Sequence, residues 1–466
     1  MLGVNGWSYK PYKPFFFDVG DIYICRVAPD QNSIHFEWLA GGDGNYEILL
    51  RKRDEGTFAL IGTTKDTSFD ITGLTENLDY EFFVQSAGLK SRIRLARTGM
   101  VEGTVVNYLH PDDMAYSFSG RYLCSPSLLR CPDGSLLASM DLYASREPQN
   151  LTLIFRSRDN GKTWHYVTEL FPCFWGKLFL HKGSVYMLSV STEYGDLLIG
   201  RSDDNGETFC SPTVLLRGSS HSAHPGIHKN PQNIMRYNGR IWETLEWGCW
   251  ANNVYHAAMV MSCDENDNLL DPASWHFTPP VPYDPNWPGT ANGPSSGNIE
   301  GTLVVFPDGK LYNVMRYGIA DAQPNYGLVL AYKINTDDPD APLEYSHAIS
   351  LPGNHSKFMI KQDPATGKYY TIICRITSPE LRQARSLLSL MVSDDARNWK
   401  LAADLIDRRE CDSHKIGFQY VDFEFEGDDI IYLCRTAANA AHNYHDSNYS
   451  TFHWIRDFRG LQPMDV

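Results

Sequence analysis

The chain has 466 residues, 42% of them hydrophobic and 21% charged, the balance of a core-burying globular protein of more than one domain. That balance excludes disorder, collagen and coiled coil. A net charge of −15 with no stretch dense in Lys or Arg excludes the basic footprint that nucleic acid needs, and no run of about 18 apolar residues exists to span a membrane.

Aromatic residues are abundant, with 26 Tyr, 22 Phe and 11 Trp. They suit a β-rich core and also offer rings on which the C–H faces of sugars stack. The first ten residues, Met1 to Lys10, lack the basic and apolar regions of a signal peptide. The ten Cys are scattered without CxxC or zinc spacing, so buried free thiols are expected and neither a metal nor another cofactor is implied. These features lead to the expectation of a cytoplasmic protein, or a secreted one if a leader has been removed.

After a leading segment over 1–18, residues 19–99 read as a separate unit. Apolar and polar residues alternate in Ser33–Trp38, Tyr46–Leu50 and Tyr80–Val84, separated by the turn signals Gly41–Gly44 and Asp54–Gly56. Short strands at this spacing predict a small β-sandwich. Trp38 on an early strand, Tyr46 on the next and the run Leu74-Thr-Glu-Asn-Leu-Asp-Tyr80 resemble a fibronectin type III domain. In that family the Leu and the Tyr six residues later form the tyrosine corner. The unit is expected to orient the rest of the chain or to contact a second protomer in a homo-oligomer.

From residue 104 to about 460 one pattern repeats: an apolar strand, a tight turn with Gly, a second apolar strand. The turn glycines are Gly134, Gly183, Gly239, Gly309, Gly367 and Gly427. Six such hairpins predict an all-β fold, a six-bladed β-propeller preceded by the small sandwich; five blades with one hairpin misassigned is the alternative. The run Tyr449–Phe458 is expected to be the outer strand that closes the ring.

A second motif recurs. Ser157-Arg-Asp-Asn-Gly-Lys-Thr-Trp164 fits S-x-D-x-G-x-T-W in full, and Ser202-Asp-Asp-Asn-Gly-Glu-Thr-Phe209 fits with Phe last. Ser393–Trp399 is a degenerate copy, and Ser262-Cys-Asp264 with Trp275 reads as one with an insertion. The Ser and Asp can satisfy turn donors while the Trp packs between strands, so Asp159 and Asp204 are read as structural. These Asp-boxes, on a six-bladed ring, resemble the sialidase superfamily of BNR-repeat glycosidases.

Propeller sites lie at the central axis, where first strands start and second strands end. The starts offer Ser125, Trp175, Gln232, Glu300, Lys357 and Tyr420; the ends offer Asp141, Glu193, Glu246, Arg316, Arg375 and Arg435. So many charges at core positions need pairing or a ligand, and an ion-pair network plugging the channel is the structural alternative.

The resemblance assigns roles to some of these residues. Asn298–Arg316 resembles the sialidase segment that carries the general base, here Glu300, and a carboxylate-binding arginine, here Arg316. Phe418–Phe423 resembles the strand of the nucleophilic Tyr, here Tyr420. The family's first arginine lies in an Arg-Ile-Pro; this chain has Tyr122-Leu-Cys-Ser-Pro126 there, with Arg375 or Arg435 as substitutes. Asp141 is the preferred general acid and Glu147 the alternative.

The remaining substrate contacts are placed at Trp175, Glu246, His224, Asp422 and His445. The last belongs to the cluster His442–Asp446, and His224 to the cluster His221–His228. Trp247, Trp250 and Trp287 are further candidate sugar platforms. The function expected is exo-acting hydrolysis of a glycan with an acidic or neutral end sugar. A propeller polysaccharide lyase and a non-catalytic glycan-binding propeller are the alternatives.

Overall fold

The computed structural model describes residues 22–219, 224–250, 256–290, 298–317, 327–353, 355–381 and 383–465. The leading segment 1–18 lies outside them. The described residues form strands and three short 3-10 turns, with no α-helix.

The first unit has two antiparallel sheets. Tyr23–Pro29, Ile34–Leu39 and Ser68–Ile71 make one. Ala59–Thr64, Tyr46–Lys52, Asp79–Ser86 and Leu89–Lys90 make the other, with Arg94–Arg97 also on Asp79–Ser86. Alternation sends Phe36 and Trp38 from one sheet, and Ile48, Phe82 and Val84 from the other, into one buried cluster. The Tyr80 hydroxyl accepts the Thr75 N–H at 3.0 Å, which ties the preceding turn to the core.

Six further sheets follow. The first four-stranded sheet is Tyr122–Arg130, Leu136–Tyr143, Thr152–Ser157 and His165–Leu170. The second is Phe174–His181, Ser184–Val190, Leu197–Ser202 and Thr213–Leu216. The third runs from Gly226–His228 through Arg240–Gly248 and Ala257–Asp264 to Trp275–Phe277, with Met235–Tyr237 added on the second of these. The fourth holds Asn298–Val305, Leu311–Tyr317, Leu328–Lys333 and Glu344–Ser350, and the fifth Ile360–Gln362, Tyr369–Cys374, Leu387–Ser393 and Lys400–Asp407. Gly417–Glu426, Asp429–Ala437 and Tyr449–Ile455 begin the sixth, whose fourth strand is Thr104–Tyr108.

The expected closure is thereby corrected. Tyr449–Ile455 is a third strand, and the outer one comes from the far end of the chain segment, pairing Tyr108 with Tyr449 and Thr104 with Phe452. Residues 104–108 carry no hairpin signal of their own, so their partner is invisible to local reading.

First strands of successive sheets are stitched side by side. The Leu178 N–H donates to Ser127 Oγ at 3.0 Å, Ile360 N–H to Thr302 Oγ1 at 3.3 Å, and Leu128 N–H to Asp422 Oδ2 at 2.8 Å. The last bond joins the first sheet to the sixth. The six hairpin glycines all have positive φ, between 63° and 84°, the conformation that tight two-strand turns demand.

At the same end of the sheets as these hairpins, where Ser157 pairs with Leu136, Ser157 Oγ donates to Asp159 Oδ1 at 2.8 Å, and Asp159 accepts both the N–H and the hydroxyl of Thr163. Asp204 repeats the arrangement with Ser202 and Thr208. Both carboxylates are consumed by their own turns. Trp164 is fully buried, and a Cβ on Gly161 would sit 2.0 Å from the Phe452 ring, so this turn packs against the sixth sheet. Ser262 does not repeat the bond to Asp264; it accepts from Arg240 instead.

Candidate active site

Four first strands share a local irregularity. Pairing with the second strand slips between Cys124 and Ser127, Phe174 and Lys177, Ile299 and Thr302, and Gln419 and Asp422. At each slip a non-glycine residue has positive φ: Ser125 51°, Trp175 50°, Glu300 57° and Tyr420 57°. A bulge of this kind re-aims a side chain that regular alternation would bury in the sheet, and strained backbone of this sort gathers where a site over-determines it.

Two of the four bulges bring the expected pair together. Tyr420 Oη donates to Glu300 Oε1 at 2.7 Å, and Arg316 Nη1 donates to Glu300 Oε2 at 2.5 Å and to Tyr420 Oη at 3.3 Å. Two further guanidinium groups face the Tyr420 ring: Arg435 at 5.1 Å and Arg385 at 5.7 Å from its centroid. Arg385 donates to Gln419 Oε1 and lies 3.4 Å from the His355 carbonyl. Arg435 donates to the His445 carbonyl. Among the described residues neither Arg385 nor Arg435 has a carboxylate within ion-pair distance, although both are buried.

The charge states follow from the contacts. Burial alone would raise Glu300; the Arg316 charge, His228 and the bonds from Arg316 and Tyr420 outweigh it and hold Glu300 below the usual carboxylate value. Burial and the Glu300 charge raise the Tyr420 phenol, against the pull of the three arginines. The result is an ionised carboxylate touching a neutral phenol.

The strand-end carboxylates do a different job. Asp141 is fully buried. Thr152 Oγ1 donates to its Oδ1 at 2.5 Å, Oδ2 makes no well-formed hydrogen bond, and Ser125 and the peptide N–H groups of Trp175 and Gly176 lie about the carboxylate. Burial pushes its pKa up to about 7. Glu246, also fully buried, accepts the Gly301 N–H at 3.2 Å and lies 2.6 Å from His228 Nδ1; burial pushes it up to about 8. Each carboxylate therefore sits against the bulge of the next sheet. Gly301 has to be glycine, since a Cβ there would meet Asn313 Oδ1 at 2.2 Å.

Several expected contacts are corrected. Arg375 does not join the cluster: with Cys374 facing the Phe418 carbonyl, strand alternation turns Arg375 to Ser389 Oγ at 3.1 Å and Asp404 at 2.8 Å. Arg385, just before the strand Leu387–Ser393, takes its place. Asp422 is no ligand contact: it is buried between Lys177 Nζ at 2.5 Å and the Leu128 N–H. With Lys229 3.8 Å from Glu243, it forms the ion-pair network that the sequence leaves as an alternative, further along the first strands. The second strand of the second sheet ends at Val190, the partner of Phe174, so Glu193 belongs to the following loop.

Other candidates fall around the rim. Glu147 is half-buried in the turn after the first sheet's second strand, its N–H on the Ala144 carbonyl. His445 lies 2.9 Å from Asp446 and receives Arg435 on its carbonyl, and burial takes its ring down to about 4. Trp175 is half-buried with its ring 4.3 Å from His228. His224 is exposed ahead of Gly226–His228, and His221 lies outside the described residues. Trp287 stacks on Tyr345 at 4.5 Å, and Trp247 packs partly buried against the core between the second and third sheets. Among the described residues no three His, Cys, Asp or Glu side chains come together to hold a metal.

Arg385 and His256 are the functional candidates that sequence reading misses. Only the starts of first strands and the ends of second strands were expected to reach the axis. Arg385 and His256 instead precede third strands.

Comparison with known proteins places these observations in context. No family model matches the chain. Tenascin-R of Mus musculus is 23% identical over 230 residues, 48% of this chain but 16% of that protein's length. Among solved structures, an α-L-arabinanase of Penicillium chrysogenum bound to arabinobiose aligns over 78% of this chain and 99% of its own, with 13% identity and a TM-score of 0.49. An intramolecular trans-sialidase of Ruminococcus gnavus covers 76% and 99% (13%, TM-score 0.47), and a sialidase of Streptococcus pneumoniae 98% and 94% (10%, TM-score 0.47). At these scores and identities the likenesses carry no weight for the chemistry, which rests on the site itself.

Proposed function

We propose that the chain is a glycoside hydrolase of sialidase-like type, retaining and exo-acting, that removes an acidic sugar from the end of a glycan. It is read as a fibronectin III-like sandwich over 19–99 followed by a six-bladed propeller over 104–460, the six sheets being its blades. One observation carries the reading: a Tyr–carboxylate pair at 2.7 Å beside two buried guanidinium groups without carboxylate partners among the described residues. Buried charge of this kind calls for a counter-ion, and a sugar carboxylate supplies one in bidentate geometry.

The chemistry is double displacement. Tyr420 Oη attacks the anomeric carbon while Glu300 takes the phenol proton. The bond to the leaving oxygen breaks with its electron pair, and that oxygen receives a proton from the general acid. Water then attacks the anomeric carbon, giving its proton to the acid residue. The Tyr420–carbon bond breaks, and Glu300 returns the phenol proton. A neutral nucleophile avoids repulsion from an anionic sugar. Asp141 has a suitable charge state, but its oxygens are turned to Thr152 and the second sheet's bulge. Glu147, on the rim, is therefore the assigned acid.

The test is hydrolysis of aryl glycosides of sialic and hexuronic acids. Tyr420→Phe should lower turnover about a thousandfold or more, roughly 4 kcal/mol of barrier. Glu147→Gln should lose poor leaving groups and spare activated ones. An unsaturated product would convert the reading to a lyase, and tight glycan binding without turnover to a binding module.

A further inference from the structure

Beside Glu300, on the second and third sheets, lies a group of aromatic and imidazole rings that the proposed chemistry does not use. His228 is the middle of it. The Trp175 ring is 4.3 Å away on one side, and His256 at 4.7 Å and Trp250 at 6.2 Å lie on the other. Tyr194 packs beneath, its hydroxyl 3.1 Å from His256 Nε2. Both imidazoles feel the charges of Glu300 and Arg316, so the group adjoins the reacting centre.

Trp250 is the unusual member. It is 56% exposed, a large apolar surface in water, yet it is held in place. Its Nε1–H donates to Glu193 Oε1 at 3.2 Å, and Gln149 Nε2 donates to Glu193 Oε2 at 3.1 Å. An exposed indole fixed by a half-buried carboxylate is a pre-organised stacking surface. Beneath it lies His256, its ring 4.7 Å from the indole and its Nδ1 buried without a hydrogen bond. Burial keeps the His228 ring neutral, with its pKa down at about 4, and pushes His256 well below its ordinary value. The group thus presents the apolar face of Trp250 over imidazoles that carry no charge.

We infer that Trp250 and Trp175, backed by the buried rings of His228 and His256, form a subsite for the uncharged sugar ring next to the one cleaved. This rests on the proposed hydrolase reading for its position. The arginines without a carboxylate belong to the fifth and sixth sheets, and the aromatic group to the second and third, half-way round the proposed ring. A glycan whose acidic end lies on Arg385 and Arg435, with its anomeric carbon at Tyr420 and Glu300, then carries its next ring over Trp250. The ring chemistry selects a neutral pyranose or furanose, which stacks its C–H face and needs no counter-ion.

The experiment is saturation-transfer NMR on the whole chain with lactose, cellobiose, xylobiose and arabinobiose. At least one should bind the wild type. Trp250→Ala, a change at an exposed position, should weaken that binding about tenfold, and Trp250→Phe should restore most of it. Arg435→Ala should leave it within about twofold. No transfer to any of the four sugars, or equal binding by Trp250→Ala, overturns the subsite. If acidic aryl glycosides are not hydrolysed but disaccharide binding follows Trp250, the hydrolase reading falls and the subsite stands.

Discussion

Arg316 serves two partners at once, which separates its effect from that of an ordinary binding residue. It bonds Glu300 at 2.5 Å and the Tyr420 hydroxyl at 3.3 Å. Its charge is the largest influence opposing burial at Glu300. Arg316→Ala should therefore weaken substrate binding by about 1.5–3 kcal/mol, the range for charge-assisted hydrogen bonds. It should also let burial raise the Glu300 pKa, so that the base is ionised only at higher pH. The acidic limb of the kcat profile would move upward; a profile that keeps its limb while KM rises would make Arg316 a substrate contact alone. Tyr420, Glu300 and Arg316 were legible because each sits in a repeated hairpin at a fixed place. Arg385 was not, because nothing in Ala384-Arg385-Ser386 marks a position that reaches the axis; only the pairing of this segment with Gly417 brings it there.

At the scale of the strand, the four bulges explain why polar side chains occupy positions that a regular sheet would make apolar. Their anchors explain why Asp141 looked catalytic in the sequence. A lone carboxylate ending an apolar strand signals a buried obligation, and local sequence cannot distinguish a substrate from a neighbouring strand's N–H groups. The two roles differ in their thermodynamics. Asp141 has its pKa raised by burial to about 7 in the fold from about 3.9 unfolded. The native state then binds the extra proton between those values, so this contribution is fully present below about pH 4 and lost as pH rises through about 7. Asp141→Asn keeps an acceptor for Thr152 and never ionises. Its melting temperature should match the wild type near pH 4 and exceed it by a few degrees at pH 8. Calorimetry across that range reads the difference directly, which cancels the opposite slope from Lys357, whose pKa burial takes down to about 7. A variant less stable than wild type at pH 8 would show that the ionised carboxylate is the form the bulge needs.

The whole molecule is held by contacts that no local reading supplies. The last strand of the small unit ends at Arg97, and Thr104–Tyr108 is already the outer strand of the sixth sheet, so the unit hangs on the strand that completes that sheet. Glu37 is the rivet. It pairs with Arg26 at 3.1 Å, lies 3.0 Å from His165 and accepts the Tyr166 N–H at 3.2 Å. Arg26 in turn donates to the carbonyls of Val106 at 2.8 Å and Val105 at 3.0 Å, within the closing strand. Tyr23 adds a hydroxyl bond to Glu169 at 2.7 Å. The alternation in Ser33–Trp38 showed that Glu37 sits between two core residues, Phe36 and Trp38, on the face opposite theirs; it did not show that a second sheet system covers that face. Both ions are mostly buried, so removing one leaves the other unpaired, at a cost of about 3–5 kcal/mol. Glu37→Ala should lower the melting temperature of the small unit and the six sheets together, in one transition, because Arg26, left buried and unpaired, pulls on the closing strand. Two separated calorimetric transitions in the variant would mean that the six sheets hold together without the small unit, and that Glu37 joins two bodies that melt independently.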